Sequence, residues 1–238
     1  MQILKNLYQV GGDINGITWD GVDVGYNDCN TYILKLSDGL IMFDCGCGDT
    51  LQQIFANMRY WSLDPADIRY CILTHAHIDH AGAGHMLKKQ GVRFISSNET
   101  ADAVGEGDER CCPYLYHKDF TPFIVDRTIT DGEKVDLLGL EFKVLLLPGH
   151  TMGCTAWIFE HENRRLIVSG DLIGTLLDGH FGWSGSIDFD REKYIKSLRR
   201  FAKIDMDIML PGHGLVYFHK PRRRVEAVLS LALSEWRK

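Results

Sequence analysis

Short apolar runs, bounded by turn residues, dominate both halves of the chain. Residues 31–36 and 40–44 flank Ser37-Asp38-Gly39 and predict a β-hairpin. Leu51, Ile54, Phe55 and Met58 then recur at helical spacing, with Asp49 or Thr50 placed to cap the helix. Residues 70–73 predict a short buried strand running into a histidine-rich loop, and residues 92–96 predict another strand. The second half has the same character. Residues 141–147 form an apolar run ending at Pro148-Gly149-His150. Strands are predicted over 156–159 and 166–169, the latter running into Gly170-Asp171. Tyr194, Ile195, Leu198 and Phe201 mark a helix. A strand over 208–210 ends at Pro211-Gly212-His213, and a last helix opens at Pro221 with Val225, Val228, Leu229, Ala232 and Trp236 as its apolar face. Strands, helix, strands, helix predicts an α/β architecture with two sheets packed face to face and helices outside. With no repeat, low-complexity tract or Pro/Ser-rich linker, residues 1–238 are expected to form a single domain.

Composition narrows this picture modestly. The 45% hydrophobic and 24% charged residues are the mix of a water-facing globular protein with enough chain for a real core. No apolar run approaches the ~20 residues of a membrane helix. The first residues lack the layout of a signal peptide, so a cytoplasmic location and no membrane partner are expected. The net charge of −6 argues against a nucleic-acid partner, whose phosphates attract basic surfaces. An odd number of cysteines, seven, with no C-x-x-C pair is a poor disulfide framework and predicts buried reduced thiols.

The chemistry concentrates between residues 74 and 84, Thr-His-Ala-His-Ile-Asp-His-Ala-Gly-Ala-Gly. Imidazole nitrogen and carboxylate oxygen suit zinc and related divalent ions. On an extended segment His75 and His77 point the same way and can share one ion. Asp79 and His80 follow the turn of the chain and can face a second. Three further strands each end in a glycine-containing turn with one more candidate ligand: His150, Asp171 and His213.

H-x-H-x-D-H, followed by a lone His, a lone Asp and a lone His, resembles the ligand order of the metallo-β-lactamase superfamily, from about Asn30 to Gly214. Asp44 followed by Gly46 resembles the early Asp-x-Gly turn that supports the metal loop in that family. The resemblance implies an αββα sandwich of two mixed β-sheets flanked by helices, with the site along one edge. It implies one metal on His75, His77 and His150, a second on Asp79, His80 and His213, and Asp171 bridging them. The implied cofactors are two divalent ions, zinc first, with iron or manganese as alternatives. The implied chemistry is attack by a metal-bridging hydroxide on a small ester, thioester or lactone, with Asp79 orienting the water that yields it and accepting that water's proton. Asp171 turns the expectation away from true β-lactamases, which typically have cysteine or serine at that position.

Two alternatives stay open at this point. The same ligands serve phosphodiesterases, and persulfide dioxygenases bind one iron through the equivalents of His75, His150 and Asp171. A small-molecule substrate is expected, and a homodimer is the default assembly. Substrate contact is assigned to His180 and Trp183, shortly after Asp171. The stretches 11–27 and 111–123, rich in glycine and in aromatic residues respectively, are candidate pocket walls. His85 is expected to pack on a following helix, and His161 to sit in a solvated polar turn. Arg222-Arg223-Arg224 reads as a solvated face, or else as an anion-recognition patch.

Overall fold

The computed structural model describes residues 1–12, 28–173 and 182–236. Among these are twelve strands in two sheets. The first sheet contains β1 (Gln2–Leu4), β2 (Leu7–Gln9), β3 (Tyr32–Leu36), β4 (Gly39–Phe43), β5 (Ile68–Ile72), β6 (Arg93–Ser97) and β7 (Arg127–Ile129), neighbours in that order. Pairing is antiparallel from β1 to β4 and parallel from β4 to β7, so the sheet is mixed. The second sheet contains β8 (Lys134–Leu137), β9 (Leu140–Leu146), β10 (Thr155–His161), β11 (Arg164–Gly170) and β12 (Ile208–Pro211), in spatial order β12-β11-β10-β9-β8. Only the β11–β12 pair in it is parallel.

Strict alternation of side chains explains why the strands read as continuous apolar runs. Ile41 and Phe43 of β4 point to the core between the sheets, whereas Leu40 and Met42 point to the outer, helix-covered face. In β10, Trp157 and Phe159 face inward and Ala156 faces outward. Phe43, Phe142, Trp157 and Phe159 interlock at the centre, with Phe43 and Phe159 stacked at 6.0 Å. Truncation of one such ring typically costs about 3–5 kcal/mol.

Helices cover both outer faces. α1 (Leu51–Tyr60), α2 (Ile78–Ala81), α3 (Gly84–Lys89) and α4 (Asn98–Glu106) lie with the first sheet, and α5 (Pro113–Tyr116) follows them. α6 (Arg191–Phe201) and α7 (Pro221–Glu235) cover the second. This is the αββα sandwich. No helix of the described residues is long and apolar enough to cross a membrane.

Some local expectations need correction. Thr50 is the N-cap residue of α1 but makes no side-chain cap bond, because its hydroxyl donates to the buried carboxylate of Asp28; Asp49 pairs with Lys118. On α7, Val225, Val228 and Ala232 are buried, while Leu229 and Trp236 are only partly so. His161 ends β10, and its Nε2 lies 2.6 Å from the Lys5 carbonyl; the turn itself is Glu162-Asn163, both left-handed. His85 is half-buried on α3, as expected, with Nδ1 3.2 Å from the Gly82 carbonyl. All seven cysteines are free and buried.

Candidate metal centre

Every predicted ligand follows the carboxyl end of a strand. His75, His77, Asp79 and His80 follow β5, His150 follows β9, Asp171 follows β11, and His213 follows β12. Hydrogen bonds between the two sheets draw these ends together. Thr155 N–H donates to the Thr74 carbonyl at 2.9 Å, and Asn30 N–H to the Gly212 carbonyl at 2.6 Å. The Tyr32 hydroxyl and the Asn30 side-chain amide both donate to the Pro211 carbonyl. The turns need glycine for space: a Cβ on Gly212 would lie 2.0 Å from Asp171 Oδ1, and one on Gly170 would lie 2.6 Å from Thr74 Oγ1.

All seven ligand candidates converge. His75, His77 and His150 form one group whose ligand atoms lie within 4.8 Å of one another, and Asp79, His80 and His213 form a second. Asp171 lies between them. Its Oδ1 is 3.3 Å from His80 Nε2, and its Oδ2 is 3.4 Å from His213 Nε2 and 3.7 Å from His150 Nε2. His213 Nε2 is 3.0 Å from Asp79 Oδ2.

Neighbouring groups decide which nitrogen of each imidazole faces the centre. Asp44 accepts from Thr74 N–H at 2.7 Å, from Thr74 Oγ1 at 2.8 Å and from His80 Nδ1 at 2.8 Å. Thr74 Oγ1 has given its proton to Asp44, so it accepts from His75 Nδ1 at 3.1 Å. That leaves His75 Nε2 buried with no hydrogen-bond partner. His150 Nδ1 donates to the Trp183 carbonyl at 2.8 Å, and its Nε2 turns inward to 3.2 Å from His77 Nδ1. Cys29, Asp44 and His80 also lie close enough to form a ligand group, but the Asp44 carboxylate and His80 Nδ1 already satisfy each other.

The electrostatics divide the cluster. Burial, then the neighbouring imidazoles, hold His75 well below the usual histidine range. Burial pushes His77 down to about 3 and lowers His150 as well. Burial thus holds these three toward the neutral form, and His77 Nδ1 and His150 Nε2 face each other at 3.2 Å. On the other side burial is outweighed. Asp171 and Asp79 hold His213 up at about 10, and Cys29, Asp171, Asp79 and Asp44 hold His80 well above its usual value. Burial would raise Asp171 and Asp79, yet His213 and His80 keep both carboxyls below the usual range. A buried Asp171 Oδ1 without a hydrogen bond completes a donor set that suits divalent ions.

The pocket-wall expectations fare unevenly. Residues 13–27 and His180 lie outside the described residues. Trp183 is beside the cluster, 43% exposed, with its ring centroid 6.2 Å from that of His77. In the stretch 111–123, Tyr116 reaches the cluster; burial and the charge of Asp79, which it hydrogen-bonds, push its phenol upward. Tyr114 donates to the Gly185 carbonyl at 3.3 Å. Arg222 pairs with Glu226 at 3.0 Å and Asp205 at 3.7 Å, which fits a solvated face, while Arg224 lies over the Tyr217 ring. The sequence reading missed the groups that orient the ligands: Thr74, Ser186, Asp188 and the Trp183 carbonyl.

Comparison with known proteins bears on the family and the fold. The family model described as metallo-beta-lactamase superfamily matches residues 24–213. The chain is similar to the hydroxyacylglutathione hydrolase GloC of Haemophilus influenzae, 33% identical over 152 residues, covering 62% of this chain and 69% of that protein. It is also similar to the atrochrysone carboxyl ACP thioesterase of Aspergillus fumigatus, 29% identical over 188 residues, covering 79% of this chain and 51% of that one. The chain thus spans about half the length of the second relative. Among solved structures, the native FEZ-1 metallo-beta-lactamase of Legionella gormanii superposes with a TM-score of 0.76 at 21% identity, covering 98% of this chain and 94% of that one. At that identity the likeness speaks to the fold alone.

Proposed function

Since the chain belongs to the metallo-beta-lactamase superfamily, we propose that this metal-dependent hydrolase works through two divalent ions, zinc first, and cleaves a small acyl thioester. The observation that carries the reading is Asp171, whose carboxylate reaches both ligand groups at once, His150 on one side and His80 and His213 on the other. His75, His77 and His150 would hold one ion, Asp79, His80 and His213 the other, and Asp171 would serve both. Bound there, the ions supply Lewis acidity, acidifying water and stabilising charge on a carbonyl oxygen. The thioester preference is supported by the hydroxyacylglutathione hydrolase and thioesterase relatives.

The protein's own groups have separable tasks. Asp79 takes the proton of the attacking water, and the Tyr116 phenol, hydrogen-bonded to Asp79, keeps that carboxylate oriented. Ligand imidazoles locked by Asp44, Thr74 and the Trp183 carbonyl keep their geometry as charge develops. The half-exposed Trp183 ring beside His77 offers an apolar face to the acyl portion. Metal-loaded protein assayed against acyl thioesters, p-nitrophenyl esters, lactones and bis-p-nitrophenyl phosphate tests the reading. Thioesters should give the highest kcat/KM. Loaded protein that turns over the phosphodiester but no thioester would overturn it.

A further inference from the structure

The outer ring nitrogen of His77 finds its partner in a part of the chain far from the metal loop. Its Nε2 lies 3.3 Å from Ser186 Oγ, 109 residues away. Ser186 in turn donates to Asp188 Oδ1 at 2.5 Å. A serine hydroxyl has one proton, and a carboxylate only accepts. Ser186 has therefore given its proton to Asp188 and can only accept from His77. The Cys112 thiol also donates to Ser186, at 3.8 Å. A neutral imidazole that donates from Nε2 has its lone pair on Nδ1, and Nδ1 is the atom facing His150 Nε2.

The same short segment also holds His150. The Trp183 carbonyl accepts from His150 Nδ1 at 2.8 Å, and Asp188 Oδ2 accepts from Met152 N–H at 2.9 Å, in the turn that carries His150. Ser186 is buried although Gly185 and Ile187 on either side are exposed, which suits a residue placed for an inward contact. His75 and His80 are held differently, by Thr74 and Asp44 of the first sheet's loops.

We infer that Ser186, backed by Asp188, is the positioning residue that selects Nδ1 of His77 as a ligand atom, and that Ser186, Asp188 and the Trp183 carbonyl brace the His75/His77/His150 side of the centre and leave the Asp79/His80/His213 side to other supports. Its metal half rests on the two-ion reading above; its tautomer half does not. Partners that orient ligating histidines typically contribute about 10–100-fold to metal affinity. Zinc competition titrations against a chelator should show one of the two ions weakened by about that factor in Ser186→Ala, the other unchanged, and both unchanged in the exposed neighbour Ser184→Ala. Equal affinities in wild type and Ser186→Ala, or equal weakening of both ions, would overturn the inference.

Histidine 15N–1H correlation spectra of the metal-free protein give an arm independent of metal binding. His77 should be protonated on Nε2 in the wild type and should become a mixture of tautomers in Ser186→Ala. An Nδ1-protonated His77 in the wild type, or an unchanged tautomer in the variant, would overturn the inference even if the protein bound no metal. Wild type that binds no zinc while His77 behaves as expected would overturn the two-ion reading and the bracing of a metal side, and keep the tautomer assignment. Asp188→Asn, which removes a pure acceptor from Ser186, should also mix the tautomers; it serves as the test variant if Ser186→Ala does not fold, and an unmixed tautomer in it would overturn the inference.

Discussion

Protons and metal ions compete for the same atoms in this centre, and the two sides enter that competition from opposite positions. His213 is held up at about 10 and His80 is raised by the carboxylates around it, so both carry protons near neutrality in the metal-free protein. Ligation must release those protons, so affinity at the Asp79/His80/His213 side rises with pH until His213 has lost its own, by about tenfold per unit for each proton released. His77, pushed down to about 3, and the lowered His75 and His150 have no proton to lose there. Zinc titrations across a pH series should therefore resolve one pH-dependent and one pH-independent affinity, with proton release measurable by calorimetry in buffers of different ionisation enthalpy. Two affinities rising in parallel would contradict this assignment of charge. Asp79→Asn is a second test at this scale. It should lower kcat by orders of magnitude while the melting temperature of the metal-free protein changes little, and unchanged turnover at full metal loading would remove Asp79 from the proton-transfer role. The candidate ligands were readable in the sequence because four of them cluster between His75 and His80 after a strand-like run, and His150, Asp171 and His213 each follow an apolar run in a turn with glycine. Ser186 was not, since nothing in its own neighbourhood distinguishes it from a surface serine and its partner His77 lies in another half of the chain.

Strand ends and the turns that follow them do the assembling. β11 and β12 run parallel, so Asp171 and His213 leave the second sheet side by side, and Gly212 N–H donates to the Gly170 carbonyl at 2.9 Å between them. Gly212→Ala places a methyl against Asp171 Oδ1 and His80 Cε1, and the Asp171 carboxylate must move. Metal affinity should fall by at least an order of magnitude, with a smaller effect on denaturant stability of the metal-free protein; wild-type affinity would show that the turn has slack. Gly149, at a φ of 145° with Tyr194 pressed against it, should tolerate alanine still less well, and there the fold itself should weaken. The long apolar strands and the helices α1, α6 and α7 followed from periodicity. β1, β2 and β7 did not, because three residues hold too little alternation to read. The capping expectation for α1 failed for a tertiary reason: Asp28, buried and raised to about 6 chiefly by desolvation, takes the Thr50 hydroxyl for itself.

At the scale of the whole molecule, the centre is where the two sheets and their loops meet. The first sheet's side supplies His75, His77, Asp79 and His80, and the second supplies His150, Asp171 and His213. Ions held by both halves would bind the folded chain and not the unfolded one, and so would stabilise it by mass action. Removal of metal with a chelator should lower Tm, and added zinc should restore it; a melting temperature indifferent to chelation would mean that no ion ties the halves together. Sandwich architecture and metal loop were legible because strand patterning and ligand spacing are local properties. The walls of the centre were less so, since Trp183 comes to His77, Tyr114 to the Gly185 carbonyl and Tyr116 to Asp79 only through the fold. Elemental analysis of protein purified without added metal tests the central claim most directly. The account predicts two divalent ions per chain, zinc foremost, and loss of metal in Asp171→Ala. A single iron per chain, with Asp79→Ala and His213→Ala leaving it in place, would contradict it.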